Sequence, residues 1–248
     1  CTALTEIEIP SSVTNIGCDA FKNCTNLEKL TLNEGLKTIG ANSFQSTKIS
    51  SVNIPSTLTA VNMPSYDDHG PFYKSTTLKE VTIADNAAII PDYLFENCSG
   101  LETIDIPYAV RTIGISAFEG CTSLKDITIH NPYCNIYNKN NTISNSATIK
   151  GYTPSTAKNY AQSYEREFVS LGSFTLGDVN EDGSINSSDA SKVLEEYALI
   201  QTGAEPTFTE IQKISADVNK DYTIDSSDAS KILAYYADSS TGKTPTWD

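Results

Sequence analysis

The sequence is poor in residues that carry out chemistry. It holds only two histidines, His69 and His130. It contains no Gly-rich phosphate loop, no GxSxG elbow and no HExxH motif. No apolar run approaches the roughly 18 residues that a membrane-spanning helix needs. Positive charge is scarce and scattered: 17 Lys and Arg stand against 31 Asp and Glu, a net charge of −14. Phosphate binding needs clustered Lys and Arg, so nucleic acid is excluded as a partner. A secretory leader is also missing, but Cys1 opens in the middle of a repeat. The chain therefore reads as a fragment whose natural start lies elsewhere, and the missing leader carries no weight.

The two histidines do not build a catalytic site in the sequence. Asp67, Asp68 and His69 sit together in a polar insertion, but nothing at a recognisable spacing supplies an ordering shell, so the cluster reads as a surface loop. His130 and Cys134 have the spacing of a metal pair or a Cys/His nucleophile. They follow directly on a strand-like segment, where turn and capping roles are commoner.

What is present is acid, unevenly spread. Residues 1–176 hold 17 acids and 12 bases, whereas residues 177–248 hold 14 and 5. Eight of those 14 fall in two twelve-residue stretches, DVNEDGSINSSD (178–189) and DVNKDYTIDSSD (217–228), offset by 39 residues. Carboxylate or amide oxygens recur at positions 1, 3, 5, 9 and 12, the spacing by which one loop wraps a calcium ion. The first loop offers Asp178, Asn180, Asp182, Asn186 and Asp189, with the Ser184 carbonyl at position 7. The second offers Asp217, Asn219, Asp221, Asp225 and Asp228, with the Thr223 carbonyl at position 7. Ile185 and Ile224, at position 8, are expected to tie the loops together through a shared core. Position 6 is Gly183 in the first loop and Tyr222 in the second. A non-Gly residue at positive φ costs about 1–2 kcal/mol, so the second loop is expected to close less easily. Its four carboxylates against three act in the opposite sense.

Each loop runs into a matching segment, DASKVLEEYA or DASKILAYYA, with little sign of an entering helix. Loop plus exit helix, twice, resembles the dockerin module of cellulosomal proteins, over about residues 174–248. The resemblance implies a small all-α module folded by two calcium ions that docks onto a cohesin domain of a scaffoldin. Asp rather than Glu at position 12 is usual in that family. Carried over by position, the partner-contacting residues are Ser187, Ser188, Ala190, Ser191, Lys192 and Leu194 in the first copy. The second copy supplies Ser226, Ser227, Ala229, Ser230, Lys231 and Leu233. Because SSDASK is identical in both copies, two matching faces are expected to bind one cohesin in either of two orientations. Helix capping accounts for one Ser per copy but not for the whole matching hexad.

The rest of the chain repeats. Strand-like segments LTEIEI, LEKLTL, ISSVNI, LKEVTI, LETIDI and LKDITI begin 23, 22, 29, 23 and 23 residues apart, the long interval holding the insertion MPSYDDHGPFYK (63–74). No unit of that size buries its apolar side alone, so the units stack into a solenoid with a parallel sheet on one face. Phe21, Phe44, Phe95 and Phe118 share one repeat position and are expected to stack inside. Cys1, Cys24, Cys98 and Cys121 share another and are expected to pack as buried thiols, a bridge such as Cys98–Cys121 being the alternative. The pattern LxxIxIPxxVxxIGxxAFxxCxxL resembles the bacterial BspA-like leucine-rich repeat over most of residues 1–130. Residues 131–172 lose the repeat. They offer a strand, ATIKGY, and a helix over about 156–166 to cover the last open coil, and 207–216 reads as a further helix.

The expected fold is thus mixed α/β. A leucine-rich-repeat solenoid with one parallel sheet spans 1–172, its cap being 131–172, and a dockerin with paired loop–helix motifs spans 173–248. The outward positions of the sheet, Glu8, Thr31, Asn53, Thr82, Asp105 and Thr128 beside Glu6, Lys29, Ser51, Glu80, Thr103 and Asp126, lack the aromatic rings on which sugars stack. A protein or peptide ligand suits that face better than a polysaccharide, if it has a ligand at all. The expected function is a non-catalytic, secreted cellulosome component that brings its repeats to a protein or cell surface. The alternatives are the C-terminal fragment of a larger polysaccharide-degrading enzyme or peptidase, and a carbohydrate-binding repeat domain.

Overall fold

Alternation of outward polar and inward aliphatic residues gives each coil a four-residue strand, and the turn that follows it gives a shorter one. In the computed structural model, which describes residues 1–65 and 67–247, successive coils contribute β1 (Glu6–Ile9) and β2 (Asn15–Ile16), then β3 (Lys29–Leu32) and β4 (Thr38–Gly40). Next come β5 (Ser51–Ile54) and β6 (Ala60–Asn62), β7 (Glu80–Ile83) and β8 (Ile89–Ile90), and β9 (Thr103–Ile106) and β10 (Thr112–Ile113). The last coils supply β11 (Asp126–Ile129), β12 (Asn135–Ile136) and β13 (Thr148–Thr153). Tyr66, within the expected insertion, and Asp248 lie outside the described residues. The chain divides into two units, Cys1–Leu171 and Gly172–Asp248.

The front strands pair in parallel and in register, Glu6 opposite Lys29 and Glu8 opposite Thr31, Thr103 opposite Asp126 and Asp105 opposite Thr128. The outward ladders therefore line up as their spacing demands. The front layer is carried by two four-stranded sheets, β1-β3-β5-β7 and one running β9-β11-β13 to β14 (Phe168–Ser173), with β7 and β9 still adjacent. The back turns, which had no strand signature of their own, form two three-stranded sheets, β2-β4-β6 and β8-β10-β12. Inward side chains of both layers, among them Leu27, Leu36, Ile39, Ile54, Leu78, Ile90, Leu101 and Ile113, are 0 % exposed. The recurrent IG follows from this close stacking: a Cβ on Gly40 would lie 2.2 Å from Cys18 N, and one on Gly114 2.6 Å from Asp92 N.

The expected phenylalanine stack forms and gains a rung. Ring centroids step from Phe21 to Phe44 to Phe72 to Phe95 to Phe118 at 5.3, 5.3, 6.1 and 5.5 Å. Phe72 comes from the insertion, which rejoins the solenoid in time to fill the gap. All six cysteines are free: Cys24, Cys98, Cys121 and Cys134 are buried, and Cys1 is exposed, contrary to expectation. The thiols of Cys98 and Cys121 donate to the carbonyls of Phe72 and Phe95, at 3.3 and 3.1 Å.

The cap helix α1 (Thr156–Ser163) ends three residues before the expected Arg166, whose guanidinium turns back instead to the carbonyls of Ser144, Asn140 and Ile143. Buried Ala157, Tyr160 and Ala161 close the core beneath it. In the C-terminal unit the helices are α2 (Ser187–Thr202), α3 (Glu210–Ala216) and α4 (Ser226–Ser240). Helix α3 starts later than residue 207 because Thr209 caps it, its hydroxyl accepting from Gln212 N. α2 packs against α4 over Val179, Val193, Val218 and Ile232, and Ile185 and Ile224 pack on that same cluster. Among the described residues no helix is long and apolar enough to cross a membrane.

Candidate calcium loops and docking faces

The two loops close on closely similar hydrogen-bond networks. Asp178 at position 1 accepts from the main-chain N–H of Asp182 (3.1 Å) and Gly183 (3.0 Å), and Asp217 accepts from Asp221 and Tyr222 (3.1 Å each). Position 5 receives the position-7 N–H, Ser184 to Asp182 and Thr223 to Asp221, at 2.8 Å in each loop. The Thr223 hydroxyl also donates to Asp221. Position 12 is the N3 residue of the exit helix. Asp189 accepts from Val179, Asn180 and Asn186 N–H at 2.9–3.1 Å, and Asp228 accepts from Asn219 (3.3 Å) and Asp225 (3.1 Å). Position 9, Asn186 or Asp225, is the helix N-cap and forms a capping box with position 12.

Four of these carboxylates are withdrawn from water: Asp178 is 7 % exposed, Asp217 1 %, and Asp189 and Asp228 0 %. Burial pushes the Asp228 carboxyl up to about 6; main-chain N–H bonds from Asp225 and Asn219 oppose the rise, and the charges of Asp217 and Asp221 add to it. Buried carboxylates gathered without a cation are costly, and N–H donors offset that cost only in part. The donor set, all hard oxygen with a main-chain carbonyl at position 7, fits a calcium ion. Among the described residues no three His, Cys, Asp or Glu side chains stand ready-grouped around one centre. The oxygens are instead engaged with loop N–H groups.

On the docking face, Ser187, Ser188, Ser191, Ser226, Ser227 and Ser230 are exposed, Lys192 and Lys231 half-buried, and Leu194 and Leu233 are 44 % and 43 % exposed. Ala190 and Ala229 require correction. Both are 2 % exposed and belong to the core between α2 and α4, so they face no partner. Their identity in the two copies reflects the duplicated core. Ser188 and Ser227 are tied to the loops, their hydroxyls accepting from the side-chain amides of Asn180 (2.8 Å) and Asn219 (3.3 Å) at position 3.

A further pair of anchors follows the same 39-residue offset, which the sequence displays as Pro206-Thr207-Phe208 and Pro245-Thr246-Trp247. After each long helix the chain folds back onto the shared core through that aromatic residue. In the first copy buried Glu196 holds the return, accepting from Thr207 N, its hydroxyl and Phe208 N at 2.7–3.0 Å. In the second, the Trp247 ring stacks on Tyr235 at 4.2 Å and its carbonyl accepts from Lys231 Nζ at 3.1 Å. Ring atoms of Trp247 would lie 2.4 Å from a Cβ on Gly177, so that position requires glycine.

Each histidine ring faces a carboxylate of a neighbouring coil. His130 Nε2 lies 2.7 Å from Asp105 Oδ1, across the sheet face. Its sequence neighbour Cys134 is buried, which pushes the thiol up to about 12 and removes it as a nucleophile at neutral pH. His69 does have an ordering shell, contrary to the sequence reading: Glu96, one coil on, lies 3.1 Å from its Nδ1.

Comparison with known proteins agrees with both halves of this picture. The model of the BspA type leucine rich repeat region matches residues 1–69 and 68–164 in six copies, and that of the dockerin type I domain matches residues 176–235. Similar solved structures include a leucine-rich-repeat protein of T. pallidum, 21 % identical, covering 68 % of this chain and 74 % of that one, TM-score 0.39. Another is a leucine-rich-repeat protein of Bacteroides ovatus, 19 % identical over 68 % and 62 % of the two chains, TM-score 0.33. A leucine-rich cell-surface protein of Faecalibacterium prausnitzii is 16 % identical over 68 % and 60 %, TM-score 0.29. No curated protein matches the sequence. The domains found are those of non-catalytic interaction modules, and the dockerin type typically binds calcium. The chain belongs to the BspA-type leucine-rich-repeat family and carries a dockerin type I domain behind its repeats.

Proposed function

We propose that this chain is a non-catalytic component of an extracellular, cell-surface cellulosome, with the C-terminal unit binding a scaffoldin cohesin and so anchoring the repeats. Two calcium ions fold the docking module. One is held by Asp178, Asn180, Asp182, Asn186, Asp189 and the Ser184 carbonyl, the other by Asp217, Asn219, Asp221, Asp225, Asp228 and the Thr223 carbonyl. Position 9 has an oxygen committed to its helix N-cap, so it serves best through a bound water. The observation that carries this reading is the duplication of the whole assembly: loop network, capping box, docking serines and exposed leucine recur 39 residues apart.

A pseudo-twofold module offers a cohesin two matching faces, Ser187, Ser188, Ser191, Lys192 and Leu194 or Ser226, Ser227, Ser230, Lys231 and Leu233. Pull-down against a panel of cohesins, with and without chelator, tests the reading: calcium-dependent capture supports it, and capture that survives chelation overturns it. Replacing Ser187 and Ser188 alone leaves binding nearly intact, whereas replacing Ser226 and Ser227 as well abolishes it. Loss from either pair alone would refute use of both orientations. The exposed, polar front ladders suit a protein ligand for the repeats, since they offer matched hydrogen-bonding groups and no ring for a sugar to stack on.

A further inference from the structure

The 29-residue interval is the one departure from the 22- and 23-residue spacing of the repeats. Its extra residues leave the solenoid after β6 and return at the Phe72 rung. On the back of the solenoid one sheet ends at β6 and the next begins at β8. A cleft of about 530 Å³ opens there, between Met63 and Asp68 of the inserted segment and Tyr93 and Glu96 of the following coil, with His69 between them.

The chemistry of the walls is one-sided. Glu96, 8 % exposed, accepts from Gly70 N at 3.0 Å and faces His69 Nδ1 at 3.1 Å. A carboxylate only accepts, so Nδ1 carries a proton and donates it to Glu96. The imidazole is fixed flat against Tyr73, centroids 3.6 Å apart and planes within 3°. Asp68 accepts from Ser65 N through Oδ2 at 2.8 Å, which leaves Oδ1 without a partner among the described residues. Burial raises the Tyr93 phenol above its ordinary value, and the charges of Asp92, Glu96 and Glu119 raise it further. Asp68 and Glu96 line the cleft, and its described lining includes no Lys or Arg. A ligand for these walls donates hydrogen bonds and carries positive charge.

We propose that this cleft receives the ammonium group of a lysine side chain presented by a protein partner, seated between the Asp68 carboxylate and the Tyr93 ring. This rests on the reading of the repeats as a protein-binding unit and gives that unit a second, charge-selective recognition point away from the front ladders. The test uses the full chain with calcium and, as probe, Nα-acetyl-lysine methylamide, followed by the NMR signals of the His69 and Tyr93 rings. Saturable shifts at both rings are expected, with the uncharged norleucine counterpart producing none. Asp68→Asn, in an exposed segment, weakens the lysine probe about tenfold. Tyr93→Asn does so too, and asparagine tolerates the φ of 59° at that position. Equal shifts with norleucine, shifts with cellobiose but not lysine, no shifts with lysine, or unchanged affinity in Asp68→Asn would each overturn the proposal. The probe makes no contact with a cohesin, so its failure leaves the docking reading standing, and failure of cohesin capture leaves this cleft standing.

Discussion

At the scale of single residues, the second calcium loop stores a strain that the first avoids. Tyr222 has a φ of 73° where Gly183 has 84°, and a side chain in that region costs about 1–2 kcal/mol. Tyr222→Gly is therefore expected to raise the calcium affinity of the second loop about tenfold, read by calorimetric titration. Two loops that already bind with equal affinity, and remain so in the variant, would remove this account. In the repeats the sensitive position is the centre of the phenylalanine stack. Phe95 is fully buried between Phe72 and Phe118, so Phe95→Ala leaves a cavity and costs about 3–5 kcal/mol, measured by denaturant unfolding of the repeat unit. Phe21, half-buried at the open end, should cost clearly less.

At the scale of elements, what could be read in advance depended on how local the signal is. Each calcium loop declares itself in twelve consecutive residues, and each front strand in six, because ligand spacing and period-two alternation are short-range patterns. The back strands, two or three residues long, are too short to alternate, and only the stacking of coils makes them strands. Phe72 escaped because the insertion breaks the count that located the other four rings. Ala190 and Ala229 were misplaced for a different reason: a duplicated surface and a duplicated core look alike in sequence, and only burial separates them. The PTF and PTW returns were legible in the 39-residue offset, but a repeated tripeptide does not say what it packs on. That packing is testable. Trp247→Ala removes the stack on Tyr235 and the cover over Gly177, and is expected to lower the calcium-loaded stability of the C-terminal unit by about 3 kcal/mol. Thermal unfolding followed by circular dichroism would show it, and an unchanged midpoint would mean that the return contributes nothing.

At the scale of the whole molecule, the two units draw stability from different sources. The repeats bury a continuous aliphatic and aromatic core. The C-terminal unit has a much smaller core and places four nearly inaccessible carboxylates around it. An ion that binds only the folded form adds about 2.7 kcal/mol per site at a hundredfold excess over its dissociation constant, and the proposed calcium loops would supply two such sites. The same ions would offset charge in a segment that carries 14 acids against 5 bases. Calcium-loaded chain should therefore give two unfolding transitions in calorimetry. Chelation should move only the one belonging to residues 172–248, by many degrees, with loss of helical signal from α2 and α4 and no change in the sheet signal. A chelator that shifts both transitions equally would mean that the repeats also depend on the metal. If neither moves, the buried carboxylates are satisfied by main-chain N–H groups alone, and the loops are turns rather than ion cages.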